Sequence, residues 1–314
     1  ASEAFEPDEF AVFEGGIETG RAFAELPFDH LLFTGSTRVA KEVSNSAAKN
    51  LTPLTLELGG KSPALVCPDA NLKRAAERIV FGKLANAGQI CIAPDYVFVE
   101  RAKFHDFIEM LQTYIKKAYP RLNNNPDYTS IISADHFSRL NRMIEEARED
   151  GAEIISINPD GETLEPSARK IPPTLILRPN PTLGVMQEEI FGPILPVLSY
   201  EKIEEAIEFV QNRARPLALY LFTEKTRERE RILRETVSGG VAVNEVLFHC
   251  VCETLPFGGV GASGMGSYHG QAGFDTFSHL KPVFIQPRFN FNFFLVPPIT
   301  PMKRLFAKIF RKLV

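Results

Sequence analysis

The alternation of short apolar runs with longer amphipathic segments restricts the fold of this chain more than any other feature. Apolar runs at residues 30–34, 53–58 and 96–100 are each followed by a segment of helical period. Strands that alternate with helices in this order form sheets that are largely parallel. The sequence therefore predicts an α/β fold, and its 314 residues are enough for about two domains.

The predicted elements follow from periodicity and from turn residues. Between residues 71 and 85, Leu72, Ala75 and Ile79 share one helical face while charged side chains lie elsewhere. By the same reasoning we expect strands at residues 11–14, 30–34, 53–58, 96–100 and 217–222, helices at residues 18–25, 37–49, 71–85, 103–119, 137–150, 201–211 and 226–236, and a hairpin within residues 151–182. Seven glycines within residues 258–273 favour a long loop there.

Composition argues against several classes of protein. A net charge of −4 and a pI near 6.0 do not suit a protein held by nucleic-acid phosphates. No run approaches the roughly 18 apolar residues of a membrane-spanning helix, and we expect no signal peptide. Four cysteines argue against a disulfide framework and predict a reduced, cytoplasmic setting. The six histidines show no ligand-like pairing, so no metal site is expected.

Two side chains are candidates for chemistry. Cys91 follows a predicted helix and a glycine, where the backbone N–H groups of a turn would raise the fraction of the thiol present as thiolate. The alternative interpretation is that Cys91 is a small buried apolar side chain without a role in chemistry. Glu57 lies within an apolar strand, where burial raises the pKa of a carboxyl toward the range of a general base. Cys250 and Cys252 are expected to alternate along a strand and to form no zinc site.

Two glycine-containing segments match phosphate-binding patterns. Gly35 and Ser36 lie between a predicted strand and a predicted helix, which fits either a phosphate site or a capped helix start. Residues 259–264 match the spacing of a dinucleotide-binding loop, but no strand is predicted before them and no helix after them. Only the first segment therefore remains a candidate phosphate site.

Four short motifs occur in one order along the chain. They are Leu-Glu-Leu-Gly-Gly-Lys at residues 56–61, Gly-Gln-Ile-Cys at 88–91, Glu-Glu-Ile-Phe-Gly-Pro at 188–193 and Leu-Pro-Phe-Gly-Gly at 255–259. Together they resemble the motifs of the aldehyde dehydrogenase superfamily, over residues 10 to 286. Residues 263–270 and 277–279 are similar to its class 3 branch, and residues 26–35 to bacterial coniferyl aldehyde dehydrogenases.

The resemblance implies a fold and an activity. The expected fold is a parallel-sheet catalytic domain with the second half of a Rossmann-like nucleotide-binding domain. The expected reaction is the oxidation of an aromatic aldehyde to the acid with NAD or NADP, in a homodimer. Cys91 would attack the aldehyde carbon, and its own backbone N–H would hold the oxyanion. Water activated by Glu57 would then hydrolyse the thioester.

The resemblance also implies binding residues. Gly35 and Ser36 match a turn that contacts the cofactor phosphates. Glu189 would hydrogen-bond the nicotinamide ribose, and Phe191 would pack near the nicotinamide ring. Phe257 would line a tunnel for a planar aromatic substrate.

Domain bounds come from the same resemblance. Residues 1–57 would be a remnant of the nucleotide-binding domain, residues 58–265 the catalytic domain, residues 266–290 a C-terminal loop with an oligomerisation strand, and residues 291–314 a tail. Family members carry a longer segment before the turn at Gly35, which here follows only 34 residues. We therefore expect an N-terminally truncated fragment with weak NAD binding. The alternative function is a catalytically impaired binding or assembly module.

The tail is expected to contain a basic amphipathic helix. One stripe of apolar side chains, with five basic residues outside it, consists of Met302, Leu305, Phe306, Ile309, Phe310 and Leu313. Such a helix lies on an anionic membrane surface, which would make the protein membrane-associated, or packs on its own or a partner subunit. Both interpretations remain open on sequence alone.

Overall fold

A computed structural model describes residues 4–6, 8–294 and 296–311. The chain divides into two compact units, Ala1–Phe277 and Ser278–Val314. The strands are β1 (Leu31–Thr34), β2 (Leu54–Glu57), β3 (Pro63–Val66), β4 (Tyr96–Glu100), β5 (Glu153–Ser156), β6 (Thr174–Leu177), β7 (Ile194–Tyr200), β8 (Ala218–Phe222), β9 (Gly240–Val243) and β10 (Gly264–Met265). The helices are α1 (Ile17–Ala24), α2 (Thr37–Ala48), α3 (Leu72–Leu84), α4 (Phe104–Ala118), α5 (Ala134–Glu149), α6 (Gly184–Gln187), α7 (Ile203–Gln211), α8 (Thr226–Glu235), α9 (Gly270–Thr276) and α10 (Pro301–Phe310).

The first unit contains two sheets. In the smaller sheet, β2 lies between parallel β1 and antiparallel β10. The larger sheet has the order β5-β6-β7-β4-β3-β8-β9, and only β5 runs antiparallel to its neighbour. The largely parallel α/β fold expected from the sequence is therefore confirmed.

Helices cover both faces of the larger sheet and form its core. Along β3, Ala64 and Val66 pack into one apolar cluster with α3 and α4, whereas Leu65 packs into a second cluster with α5 and α7. Successive strand residues point to opposite faces, so a strand buried on both sides is apolar throughout. Among the described helices, none is both long enough and apolar enough to cross a bilayer.

Two sequence predictions were wrong, and four strands were not predicted. Residues 11–14 form no strand; no described segment pairs with them, and Phe13 is 70% exposed. Cys250 lies in a 3-10 turn, Phe248–Val251, that follows Leu247 with a φ of +62°, and Cys252 follows that turn rather than alternating along a strand. The unpredicted strands are β3, β7, β9 and the two-residue β10, which lies inside the loop predicted for residues 258–273.

The second unit is built around α10. Phe306 stacks on Phe294 with 4.2 Å between ring centroids, and the buried Lys303 donates its Nζ hydrogen to the Val296 carbonyl over 2.6 Å. The predicted apolar stripe is therefore divided, because Phe306 is packed while Met302, Leu305 and Ile309 are exposed. Lys303, one of the five basic residues outside the stripe, is buried. Three further residues of the predicted helix lie outside the described residues, namely Lys312, Leu313 and Val314.

Candidate active site

The parallel pairing of β1 and β2 brings their carboxyl ends to one edge of the smaller sheet. Thr34 lies opposite Glu57, and the Gly35 N–H donates to the Glu57 carbonyl over 3.1 Å. Helix α2 begins at the next turn, where the Ser36 hydroxyl caps it by accepting from the Val39 N–H. The unpaired N–H groups of a helix N-terminus attract anions. The capped start predicted from the sequence is present, and it leaves this edge of the sheet electropositive.

Glu57 ends β2 as a buried carboxylate. The residue is 3% exposed, and neither carboxylate oxygen has a hydrogen-bond partner among the described residues. Loss of hydration disfavours the charged form and raises the pKa of Glu57 to about 7. The direction is the one the sequence predicted. A carboxyl with this pKa can accept and release a proton near neutral pH.

The turn that carries Cys91 is formed by three consecutive residues with positive φ. Asn86, Ala87 and Gly88 have φ values of +49°, +51° and +76° at the end of α3. A β-carbon on Gly88 would lie 2.3 Å from the Gly192 carbonyl oxygen. The turn therefore touches the backbone of the 188–193 motif, and only glycine fits at this contact.

Gln89 fixes the same turn through its side-chain amide. Its Nε2 donates to the carbonyls of Asn86 and Ser130, each over 3.1 Å, and its Oε1 accepts from the Ile132 N–H over 2.9 Å. The bond to Asn86 closes the turn itself, and the bonds to Ser130 and Ile132 hold the residue two positions before Cys91 against a separate loop. Gln89 is thus a positioning residue for the thiol.

Cys91 itself is half-buried within reach of two carboxylates. Burial, followed by the charge of Glu189, raises the pKa of the Cys91 thiol to about 11, and the charge of Glu57 acts in the same direction. The Cys91 backbone N–H lowers the pKa as predicted, but desolvation outweighs it. The expected gain in thiolate is therefore wrong for this state of the site. Cys67 is buried and inert by comparison, as expected for a small apolar side chain.

A buried ion pair fixes the 188–193 loop. Lys61 precedes β3 and Asp95 precedes β4, and the parallel pairing of these strands brings the ammonium and carboxylate together. Lys61 also donates to the carbonyls of Val185 and Glu188 over 2.8 and 2.9 Å. The remaining Asp95 oxygen accepts from the Ile190 N–H over 3.0 Å. The pair thus anchors the loop at the amino ends of the strands.

Arg139 holds the loop from the side of α5. Its guanidinium donates to the carbonyls of Glu189 and Ile190 over 3.0 and 2.6 Å. Sequence reasoning missed Arg139, Lys61, Asp95 and Gln89. A Lys and an Asp directly before two apolar strands were the available signal, but their meeting depends on which strands are neighbours.

Glu189 lies against the glycines that link the two sheets. A β-carbon on Gly59 would lie 2.1 Å from a Glu189 carboxylate oxygen, and the Gly60 N–H hydrogen-bonds this side chain. Burial and the charge of Asp95 raise the pKa of Glu189 to about 7. Phe191 is half-buried with a φ of +51°, and its ring centroid lies 6.4 Å from that of His136.

A cavity of about 750 Å³ opens beside this loop. Its lining includes Thr37 from the start of α2, Gly60, Lys61, Glu189 and Arg213. Of the predicted cofactor residues only Glu189 lines this cavity of ligand size; Gly35, Ser36 and Phe191 do not, although Thr37 directly follows Ser36. Its lining does not include the two predicted catalytic side chains or Phe257. Glu189, which is part of the lining, is nevertheless close enough to Cys91 for its charge to raise the pKa of the thiol.

Phe257 is 8% exposed within a group of aromatic rings. Its centroid lies 5.8 Å from that of Tyr268 and 5.4 Å from that of His269. Burial raises the pKa of Tyr268, and the charges of Glu57 and Cys91 raise it further. The aromatic group thus borders the thiol and carboxylate through Tyr268. Among the described residues, no group of His, Cys, Asp and Glu could hold a metal ion.

The sequence model of the aldehyde dehydrogenase family matches residues 2–283. The chain belongs to this family. It is 51% identical to a probable coniferyl aldehyde dehydrogenase of Caulobacter vibrioides, over 91% of this chain and 59% of that protein. It is 43% identical to the rat aldehyde dehydrogenase family 3 member A2, over 96% of this chain and 61% of the relative, which supports the class 3 assignment.

A solved structure is similar along nearly the whole chain. The substrate-bound state of Staphylococcus aureus AldH aligns with a TM-score of 0.88 at 42% identity, over 99% of this chain and 66% of that one. The chain spans about 60% of the length of the curated relatives it matches. The family assignment therefore rests on both sequence and fold.

Proposed function

We propose that the protein oxidises an aldehyde to the carboxylic acid with NAD or NADP, through a covalent intermediate on Cys91. The observation that carries the proposal is the convergence of Cys91 and Glu57, 34 residues apart in the chain, close enough for the Glu57 charge to raise the pKa of the thiol. A nucleophile beside a carboxyl whose pKa is about 7 suits acyl chemistry in two steps.

A nicotinamide dinucleotide would occupy the 750 Å³ cavity, which is lined by Thr37 at the start of α2 and by Glu189. Gly35 and Ser36, at the start of α2, would place backbone N–H groups toward a phosphate. The Glu189 carboxylate would accept hydrogen bonds from ribose hydroxyls, and Phe191 would pack beside the ring. When bound, the nicotinamide supplies a hydride acceptor.

The protein residues would then carry the remaining steps. The Cys91 thiol gives its proton to the Glu57 carboxylate as its sulfur attacks the aldehyde carbon, and the Cys91 backbone N–H holds the resulting oxyanion. With bound NAD or NADP as the hydride acceptor, this adduct would become a thioester on Cys91, and Glu57 would release its proton to solvent. Glu57 takes a proton from water as the water oxygen attacks the thioester carbon, and the acid leaves as the thiol is restored.

An aromatic aldehyde is the proposed substrate class. A named relative is a probable coniferyl aldehyde dehydrogenase, and Phe257 packs edge-to-face on Tyr268, whose pKa the charge of Cys91 raises. We also propose a cytoplasmic homodimer with the domain bounds given above, in which residues 266–290 contribute the oligomerisation strand.

Purified protein assayed for NADH absorbance with coniferyl aldehyde tests the function. Cys91→Ala is expected to lower turnover by about 10³-fold or more, because no other group forms the thioester. The control is Cys252→Ala, which removes an exposed thiol and should retain full turnover. Equal turnover in the Cys91→Ala variant, or no NADH from the folded wild type with either cofactor, would contradict the proposal.

A further inference from the structure

The charge of the chain is divided between its two units. Residues 278–314 contain seven Lys and Arg and no Asp or Glu. The other 277 residues hold 28 basic and 39 acidic side chains, a net charge of −11. A block of one sign within a chain that is otherwise acidic indicates an interaction with an extended surface of the opposite sign.

Helix α10 has three distinct faces. One face packs inside its own unit, through Lys303 over the Phe293 ring at 4.1 Å and through Phe306 on Phe294. A second face is apolar and exposed; it consists of Met302, Leu305 and Ile309, which are 60%, 60% and 51% exposed. A third face is basic and exposed; it consists of Arg304, Lys308 and Arg311.

The packed face fixes how the other two are presented. Because Lys303 and Phe306 hold the helix by one side, the apolar and basic faces lie next to each other on the remaining surface. Long basic side chains can then reach toward lipid phosphates while the neighbouring apolar side chains enter the acyl region.

We propose that the exposed faces of α10 bind the surface of an anionic phospholipid bilayer. Charge complementarity favours a bilayer over a protein partner, because the surface charge of an anionic bilayer is negative throughout and apolar acyl chains lie directly beneath it. A protein surface, such as that of residues 1–277 with 28 basic and 39 acidic side chains, mixes both signs. The exposed Lys281 and Arg288 extend the same basic charge beyond the helix. This inference does not depend on the proposed activity.

Vesicle co-sedimentation of the full chain tests the proposal. Vesicles of phosphatidylglycerol mixed with phosphatidylcholine are expected to bind the protein, with affinity that falls as salt rises, and pure phosphatidylcholine vesicles are not. At about 1 kcal/mol per basic residue, the triple variant Arg304→Glu, Lys308→Glu, Arg311→Glu should bind at least about 100-fold more weakly. Met302→Ser, Leu305→Ser, Ile309→Ser should also lose binding, since the apolar face contributes by insertion.

A matched control separates a specific face from net charge. Lys73→Glu, Lys116→Glu, Lys117→Glu changes the charge by the same amount on exposed positions of α3 and α4 and should bind vesicles like the wild type. Equal loss in this control would overturn the proposal. The proposal would also be overturned if the wild type does not bind anionic vesicles and the α10 variants differ from it in oligomeric size. That result would make the exposed face of α10 a contact between copies of the chain. Circular dichroism confirms that each variant is folded.

Discussion

Replacement of Asp95 by asparagine tests whether the buried ion pair with Lys61 holds the 188–193 loop. Asparagine keeps the shape and the hydrogen bond from the Ile190 N–H, so the substitution removes the charge alone. The side chains of Lys61 and Asp95 are 10% and 3% exposed, and solvent therefore cannot replace the lost counter-charge.

The expected magnitude follows from this burial. A buried ammonium left without its partner costs about 3–5 kcal/mol. Burial already lowers the pKa of Lys61 while Asp95 raises it, so Asp95→Asn lowers that pKa further and lets the amine lose its proton. This relief places the expected loss near the lower limit, about 3 kcal/mol. Lys61→Met should cost about as much, because it leaves the Asp95 carboxylate without its counter-charge and two backbone carbonyls without a donor.

Urea unfolding followed by far-UV circular dichroism measures both losses, since the chain has no tryptophan. The double variant, Asp95→Asn with Lys61→Met, carries neither charge of the pair and should lose about 2 kcal/mol less than the sum of the single variants. Glu145→Gln is the control, because its pair with Arg148 is more than half exposed and should be worth under about 0.5 kcal/mol. A loss below about 1 kcal/mol for Asp95→Asn, or strict additivity in the double variant, would refute the argument.

Three further predictions concern the reacting groups. Because the pKa of Glu57 is raised to about 7, kcat should rise with pH through neutrality as the carboxylate form of Glu57 appears. Glu57→Gln should lower kcat by about 10²- to 10⁴-fold and abolish this inflection. A wild-type kcat that does not change with pH would contradict the assignment of Glu57 as the base. Gly88→Ala should abolish most turnover, because the new β-carbon would lie 2.3 Å from the Gly192 carbonyl oxygen. The control is Gly161→Ala, which should keep full activity because Gly161 also has a positive φ, +61°, but open space around it. Equal turnover in the two variants would show that backbone strain, and not the contact with Gly192, determines the effect. Iodoacetamide should alkylate Cys91 slowly at neutral pH and faster as pH rises toward about 11, as measured by peptide mass spectrometry. Rapid labelling at neutral pH without cofactor would show that burial does not control the reactivity of the Cys91 thiol.

Local patterns were sufficient for most helices and for the half-buried strands. Helix α3 follows from its apolar spacing and from Asn71, whose side chain caps the first turn by accepting from the Arg74 N–H. Strands covered on both faces have no alternation to mark them, and of these β4 and β8 were predicted from their apolar runs whereas β3 and β7 were not. Residues 11–14 show the opposite error: an apolar run has strand propensity, but a strand forms only when a neighbour supplies hydrogen bonds.

The sequence by itself determined the α/β class, the family and the identities of Cys91, Glu57 and Glu189 as candidate site residues, because these depend on periodicity and on short motifs. Tertiary structure decided how those residues are held and charged. Lys61 meets Asp95 only because β3 and β4 are neighbours, and Gln89 reaches Ser130 only through a turn of three positive φ values. Tertiary structure also reversed the expected ionisation of Cys91, since desolvation depends on all surrounding atoms whereas the sequence revealed only the adjacent backbone N–H.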